Sequence, residues 1–250
     1  MIKQEAGESC RYTYDEKNRV IREDNLLFGN TFTYKYDKYG KLIERNTYDF
    51  TLSALPEEHT TDVYVYSKKH KLLSYNGESC KYDRRGNPII YRDATLKWKH
   101  KDLLSIDNIY TFEYDKHMRI SKTVRTELVK FYSKNDKIYA QDNGDLLLFI
   151  YDGNEISGFS YYSGEIAKSF MYKKNENNDV VGIFDSGGEL VCEYVYDVFG
   201  DHKTLVYNVE YSDVAYINPI RFRSKFYDIE TGMYFIDGKY YDAQIANYLN

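Results

Sequence analysis

A short motif of tyrosines followed by an acidic residue recurs along the chain and constrains its fold more than any other feature. In the clearest copies, two Tyr separated by one residue precede an Asp, and three residues after the Asp comes Gly or a residue in its place. Copies occupy Tyr12–Ile21, Tyr34–Ile43, Tyr64–Leu73, Lys81–Ile90, Phe112–Ile120 and Tyr194–Gly200. Repetition at irregular intervals predicts an array of similar units joined by variable loops.

Each copy of the motif predicts one β-hairpin. Two Tyr at alternate positions place both rings on the same face of a strand. The Asp stands at the first position of a turn, where its carboxylate accepts backbone N–H groups. The Gly supplies the positive φ that a common hairpin connection needs. The alternating Ile, Leu and Val that follow are typical of the returning strand.

The residues that replace the Gly predict differences between the turns. Asn18 and His70 tolerate the left-handed region of the backbone map, whereas Met118 does not. We therefore expect the turn at Met118 to be distorted or longer than the others. The segment Asp185–Val191 carries the same turn signal without the pair of Tyr.

The composition favours an all-β fold. The chain of 250 residues contains 29 Tyr and 13 Phe but a single Trp. Aromatic residues favour strands, and Tyr suits half-buried surfaces because its ring is apolar while its hydroxyl needs a partner. No amphipathic helix with a capping signal is recognisable. The sequence predicts a spiralling antiparallel sheet of hairpins that forms part of a shell.

Charge and motif content bear on several function classes. The net charge is −5, with acids and bases interspersed, which argues against a nucleic-acid partner because such a partner needs a concentrated basic face. The longest apolar runs, such as Leu146–Ile150, are too short to cross a bilayer. The first residues lack the apolar segment of a signal peptide. The localisation therefore stays open, with a secreted or cell-surface setting expected if the chain is part of a larger protein.

The sequence predicts neither a metal site nor a cofactor. The five His are scattered without the spacing of metal ligands. Cys10, Cys80 and Cys192 form an odd set without a CxxC motif, and we interpret them as small buried or half-buried residues. No phosphate-binding loop or hydrolase motif is present.

The C-terminal part of the chain carries denser and more specific motifs than the rest. They comprise Glu193–Gly200, Asn218–Arg223, Phe226–Tyr234 and Tyr240–Asp242. Residues 178–250 resemble the RHS repeat-associated core domain in the version found in Gram-positive bacteria. Residues 1–177 resemble the tyrosine-aspartate (YD or RHS) repeats that precede that core. The resemblance predicts two regions with this boundary.

The resemblance implies a structural role. In this family the repeats spiral into a hollow β-shell, the core closes one end, and a C-terminal toxin passenger is held inside. The expected partners are further upstream repeats, a toxin passenger or a partner shell protein. We therefore predict a shell segment that is not an enzyme. A glycan- or receptor-binding module is an alternative, because exposed aromatic stripes can stack on sugars or bases.

The resemblance also names candidate residues for self-cleavage. Asp228 and Asp242 match the acids of the family's aspartyl-protease-like site, and Arg221 and Arg223 match basic positions upstream. That chemistry needs two carboxyl groups close enough to share a proton. The segment 237–248 departs from the family pattern by lacking its core arginines, Pro and Gly. The alternative interpretation is that both Asp are ordinary turn residues.

Overall fold

A computed structural model describes residues 3–6, 9–135 and 137–249 of the chain. In this part of the chain, nearly all regular structure consists of antiparallel strands. The prediction of an all-β fold built from antiparallel hairpins is confirmed. The strands form three sheets, and within each sheet every strand pairs with its neighbours in sequence.

The first sheet contains eight strands and begins at the N-terminal end of the chain. Its strands are β1 (Lys3–Ala6), β2 (Cys10–Tyr14), β3 (Val20–Asn25), β4 (Asn30–Tyr36), β5 (Leu42–Asp49), β6 (Thr60–Tyr66), β7 (Leu72–Tyr75) and β8 (Glu78–Ser79). The second sheet continues directly from it, because the Asp93 carboxylate accepts the Ser79 N–H at 2.9 Å and the Asp93 N–H donates to the Ser79 carbonyl at 3.1 Å.

The second sheet contains fourteen strands. They are β9 (Lys81–Tyr82), β10 (Pro88–Tyr91), β11 (Ala94–Lys99), β12 (Asp102–Ile106), β13 (Tyr110–Asp115), β14 (Met118–Val124), β15 (Glu127–Lys134), β16 (Lys137–Asp142), β17 (Leu146–Asp152), β18 (Glu155–Ser163), β19 (Ile166–Lys174), β20 (Val180–Asp185), β21 (Leu190–Tyr196) and β22 (His202–Val206). Together the first two sheets make one long ribbon. Strands β19 and β20 pair across the sequence boundary at residues 177 and 178. That boundary stays a prediction.

The third sheet has four strands and follows a short non-strand segment. The segment holds two 3-10 turns, Val209–Tyr211 and Phe222–Ser224, and the four-residue helix α1, Val214–Ile217. The strands are β23 (Phe226–Asp228), β24 (Met233–Ile236), β25 (Lys239–Asp242) and β26 (Asn247–Tyr248). We call these four strands the C-terminal sheet.

The hairpin turns confirm the roles predicted for the Asp and the Gly of the repeated motif. The Asp37 carboxylate accepts the backbone N–H groups of Tyr39 and Lys41, each at 2.8 Å, and Gly40 takes a φ of 86°. Equivalent turns begin at Asp15, Ser67, Asp83, Asn175, Asp185 and Asp197. Because one side-chain oxygen replaces water for two N–H groups, the turn is closed by purely local chemistry.

The second Tyr of the motif has a consistent partner in several repeats. The hydroxyl of Tyr36 donates to the Val20 carbonyl and that of Tyr196 to the Val180 carbonyl, each at 2.7 Å. In both cases the acceptor opens the returning strand of the preceding hairpin of the ribbon. The ring is thus half-buried against the ribbon while its hydroxyl satisfies a neighbouring backbone group.

The turn before Met118 differs from the expectation. Asp115 pairs directly with Met118, and the two residues between them, Lys116 and His117, have φ of 47° and 69°. The turn is therefore shorter than the others, and the expectation of a longer one was wrong. A two-residue turn with two left-handed residues matches the twist of its strands. Met118 is therefore the first residue of strand β14 and does not have to adopt the positive φ that the motif assigns to the Gly.

The ribbon curls so that its late part contacts its early part. The side-chain amide of Asn25 donates to the Tyr196 carbonyl at 2.8 Å, and the Val198 N–H donates to the Glu23 carboxylate at 3.0 Å. Lys203 donates to the Phe28 carbonyl. We call this contact the seam. The early side of the seam comprises Glu23, Asn25, Phe28, Tyr34 and Arg45. The late side comprises Tyr196–Phe199, Asp201 and Lys203.

The C-terminal sheet packs against the buried face of the ribbon. Phe131 meets Phe226 edge to face at 5.3 Å between ring centroids, and Phe112 lies 5.5 Å from Tyr240. Farther along, the Tyr64 hydroxyl donates to the Gln244 carbonyl at 2.9 Å. One continuous apolar core therefore joins the ribbon and the C-terminal sheet.

Replacing Gly200 by Ala tests the packing between the last ribbon turn and the residues that follow it. Gly200 has a φ of 95°, and an added Cβ would lie 2.5 Å from the ring of Phe222. Gly188 is the matched control, because its φ is 83° but no atom lies within 4 Å of its added Cβ. We expect Gly200→Ala to lower the free energy of unfolding by about 1–3 kcal/mol more than Gly188→Ala, the usual cost of overpacking. Equal losses in urea unfolding would contradict this packing.

Candidate functional site

Asp228 and Asp242 lie on the two strands that flank β24. Asp228 on β23 and Asp242 on β25 are both register partners of Met233. Residues paired across neighbouring strands share a face, so both carboxyl groups and the Met233 side chain lie on the same side of the C-terminal sheet. Two strand spacings separate their backbones by roughly 9.6 Å. Both residues are buried, with 0% and 3% of their surface exposed.

Two buried cations contact Asp228. Arg119 forms an ion pair with one carboxylate oxygen, and the Lys122 ammonium lies 3.0 Å from the other. Lys122 also binds Glu230 at 2.8 Å. Burial alone would raise the pKa of Asp228, but the charges of Arg119 and Lys122 outweigh burial and lower that pKa. Asp228 is thus an ionised anchor inside the core.

Arg119 fills a cage of aromatic rings. Its guanidinium lies 4.6 to 5.8 Å from the centroids of four of them, contributed by Phe112, Phe131, Phe226 and Phe235. Its Nε and Nη2 atoms are buried without a hydrogen-bond partner, so the ring faces and Asp228 together compensate its charge. Through its ion pair with Asp228, Arg119 joins strand β14 of the ribbon to the C-terminal sheet.

The environment of Asp242 has the opposite effect. The Tyr91 hydroxyl donates to its carboxylate at 2.9 Å, the Gln244 N–H donates at 3.0 Å, and the nearest cation is Arg92 at 3.5 Å. Burial raises the pKa of Asp242, and Arg92 only partly offsets this effect. Arg92 is shared with Glu78, which it binds at 2.7 Å.

The two carboxyl groups are therefore chemically unlike. One is held ionised and the other is biased toward its neutral acid, which is the division of roles that a general base and a general acid require. Asp228 and Asp242 have different hydrogen-bond partners, and Met233 stands between them in the register. A shared proton would need a shorter separation. Their role in self-cleavage stays a prediction.

Arg221 does not join the two carboxyl groups. Its guanidinium stacks between the rings of Tyr194 and Tyr227, at 4.8 and 4.6 Å, and contacts His202. It also reaches the Ala215 carbonyl of helix α1 at 3.4 Å. These contacts fasten the helix to the end of the ribbon.

Arg223 lies elsewhere too. It takes a φ of 51°, its N–H donates to the Asp179 carboxylate at 2.8 Å, and its side chain lies over Phe222. The cations that contact the candidate acids are instead Arg119, Lys122 and Arg92.

The sequence contained one overlooked signal for this site. In typical repeats the second Tyr pairs with an apolar residue of the returning strand, as Tyr36 does with Leu42. At the same position Tyr114 pairs with Arg119, so a charged residue occupies an inward, apolar place. Assigning Met118 to the Gly position concealed this substitution.

The described residues contain neither a candidate metal site nor a candidate membrane-spanning helix. No group of three or more His, Cys, Asp or Glu within residues 3–6, 9–135 and 137–249 could hold a metal ion. No helix in the same ranges is both long and apolar enough to cross a membrane.

Comparison with known proteins identifies relatives among bacterial nucleases. The tRNA3(Ser)-specific nuclease WapA of Bacillus spizizenii is 26% identical over 249 residues, which are 95% of this chain and 10% of that protein. The tRNA nuclease WapA of Bacillus subtilis strain 168 is 26% identical over 253 residues, with the same shares. The tRNA(Glu)-specific nuclease WapA of Bacillus subtilis subsp. natto is 28% identical over 196 residues, or 72% of this chain and 8% of that protein. No family model matches the chain.

Solved structures of Tc toxins align with most of the chain. A Photorhabdus luminescens Tc holotoxin pore with a TccC3 mutation gives a TM-score of 0.47 at 13% identity over 96% of this chain and 16% of that one. TcdB2–TccC3 without its hypervariable C-terminal region gives 0.45 at 13% identity, with 96% and 17% covered.

The chain is similar to WapA nucleases over most of its length, and these relatives correct one prediction. Because the three curated proteins are named as nucleases, the prediction of a protein without enzymatic activity was wrong. The chain spans about a tenth of the length of these relatives. The assignment of a core domain to residues 178–250 stays a prediction.

Two amide substitutions separate the roles of the acids. Asp228→Asn leaves the buried charge of Arg119 uncompensated, and breaking such a pair costs about 3–5 kcal/mol of unfolding free energy. Asp242→Asn keeps the size and polarity of a group already biased toward neutrality, so we expect a loss of about 1 kcal/mol or less. Urea unfolding of both variants at neutral pH provides the measurement. Equal losses would contradict the ionised state assigned to Asp228.

Proposed function

We propose that this chain is a wall segment of an RHS-type toxin and that it encloses or presents a C-terminal passenger. The observation that carries the proposal is the curled ribbon. Twenty-two strands of the first two sheets pair in sequence order, and the seam brings the two parts of the ribbon into contact. A sheet curled in this way separates an inner from an outer side, which is the property a container needs.

The inner side supports contact with a poorly folded chain. The C-terminal sheet covers the part of the ribbon's buried face that carries Phe112 and Phe131, so the space left for a passenger lies in the cavities beside that sheet. Cavities of about 210, 270 and 300 Å³ meet around the turn between β23 and β24, and Glu230 lines all three. Such a surface offers many weak apolar and hydrogen-bonding contacts without requiring one defined passenger fold.

The C-terminal sheet suits the role of an end closure. It covers the buried face of the ribbon and is fastened there by Arg119, Tyr91 and Tyr64. We infer that residues 178–250 act as the core that closes one end of the shell, with further repeats or a partner shell protein completing the wall. A secreted or cell-surface setting belongs to the same proposal.

The names of the relatives extend the proposal to the longer protein. Since those proteins are named for cleaving tRNA, we infer that the protein containing this wall also acts on RNA. That inference applies to the longer protein, in which the passenger and the wall belong to one chain.

Limited proteolysis of the longer reading frame tests the wall. We expect the passenger to resist protease while the wall is folded, and Gly200→Ala to expose it because the substitution disrupts the packing of the last ribbon turn. Gly188→Ala is the control and should leave the passenger protected. A tRNA digest in parallel reports whether the exposed passenger is active. A passenger cut equally fast in all three proteins would refute the enclosing role, and an exposed passenger that spares tRNA would refute the inferred substrate.

Self-cleavage is a second candidate function, favoured by one observation. The pKa of Asp228 is lowered by Arg119 and Lys122 against the effect of burial, and burial raises the pKa of Asp242. The site thus contains one base and one acid on the same face of a sheet. The site is buried in this structure, so catalysis would require the C-terminal sheet to separate from the ribbon. With a cleavable segment then placed over Met233, Asp228 would activate water and Asp242 would protonate the leaving group.

Mass measurement of an extended chain tests this second function. If the pair is catalytic, the natural downstream extension is released, and Asp228→Asn or Asp242→Asn leaves the product intact. Glu230→Gln is the control, because Glu230 binds Lys122 on the exposed side of the site and should not stop cleavage. An extended chain that stays intact, or one released equally in both Asn variants, eliminates this candidate.

A further inference from the structure

The seam holds more carboxyl groups than cations. The Arg45 guanidinium lies 2.9 Å from Asp62, 3.1 Å from Asp197 and 3.7 Å from Asp201. Glu23 lies in the same buried region and influences Asp197 through its charge. Arg45 thus contacts three carboxyl groups, and Glu23 adds a fourth acid to the same buried region.

Hydrogen bonds hold two of these carboxyl groups in place. Glu23 accepts from the Asn25 amide at 2.9 Å, from the Tyr34 hydroxyl at 2.9 Å and from the Val198 N–H at 3.0 Å. Asp197 accepts the N–H groups of the turn that it begins. The side chains of Glu23 and Asp197 are both shielded from water, so neither can reduce the repulsion by moving into solvent.

The titratable groups around this cluster lie on several neighbouring strands and turns. Tyr34 lies on β4, Arg45 on β5, and Asp62 and Tyr64 on β6, while Asp201 belongs to the late turn. Arg92 acts on Asp201 from the turn after β10. Burial first, and then the charge of Glu23, raise the pKa of Asp197 despite the opposing effect of Arg45. Burial likewise raises the pKa of Glu23.

We propose that the seam is a pH-sensitive latch that holds the curled ribbon closed in acid and loosens as Glu23 and Asp197 ionise toward neutral pH. The direction follows from linkage. A carboxyl group with a raised pKa in the folded state contributes stability that is present below its unfolded pKa and is lost as the pH rises through its folded pKa. The change falls above the ordinary carboxyl range of about 4. The latch would thus give a toxin wall different strength in acidic and neutral compartments, an outcome that rests on the proposed function.

The chain itself suggests the variants that test the latch. Asn175 begins an equivalent turn and accepts the N–H groups of Asn177 and Asp179 through its amide oxygen. Asp197→Asn should therefore keep the turn while removing the charge. Glu23→Gln removes the other buried charge, and the exposed Glu165→Gln is the control.

Hydrogen exchange at the Val198 amide measures the latch directly, since this N–H bonds across the seam to Glu23. After correction for intrinsic exchange, we expect protection in the unaltered chain and in Glu165→Gln to be several-fold higher near pH 5 than near pH 8, because ionisation of the buried carboxyl groups between these values weakens the closed seam. In Asp197→Asn and Glu23→Gln the ratio should fall to about twofold or less, since the coupled charge is gone.

Two results would overturn the latch and leave the proposed function untouched. One is equal protection at both pH values in the unaltered chain, a result that does not depend on any variant folding. The other is the full pH dependence persisting in both seam variants, with circular dichroism showing them folded. Passenger protection in the longer protein is measured separately and can fail or succeed without the latch.

Discussion

The ion pair between Arg119 and Asp228 is the contact on which the arrangement of the molecule depends. Both side chains are completely buried, and together they bridge strand β14 of the ribbon and strand β23 of the C-terminal sheet. An uncompensated charge in such a place would be very costly. The position of the C-terminal sheet is therefore specified by charge as well as by shape, and the four aromatic rings around Arg119 exclude water from the pair.

The ribbon rests on a second, local device that repeats along the chain. In seven turns of the described part of the chain, among them the one that begins at Asp37, a side-chain oxygen accepts two backbone N–H groups, and a residue with positive φ lets the strand return. Because each unit contacts mainly its neighbours in sequence, the ribbon can grow by addition of hairpins. The seam is then the place where distant parts of the array meet, and its excess of acids is the basis of the proposed latch.

Much of the fold could be predicted from the sequence because the turn chemistry is local. Asp15, Asp37, Asp83 and Asp197 all begin the turns that the motif predicts. The exception at Met118 arose because two left-handed residues, Lys116 and His117, formed a tighter turn than the motif allowed for.

The candidate site was less accessible to sequence reasoning because its partners are distant along the chain. Asp228 and Arg119 are 109 residues apart, and Asp242 lies 151 residues from Tyr91. Resemblance located the two acids but placed Arg221 and Arg223 beside them, whereas the fold uses those arginines to fasten helix α1 and the last turns. Pairing between strands, which decides such contacts, depends on the curl of the whole ribbon.

A double-mutant cycle on Arg119 and Asp228 tests the central contact most directly. Urea unfolding is measured for the unaltered chain, Arg119→Met, Asp228→Asn and the double variant. If the pair fastens the C-terminal sheet inside the ribbon, each single change leaves one buried partner unmatched, and the coupling energy should be about 2 kcal/mol or more. Additive losses, with coupling below about 0.5 kcal/mol, would contradict the claim that this pair holds the two parts together.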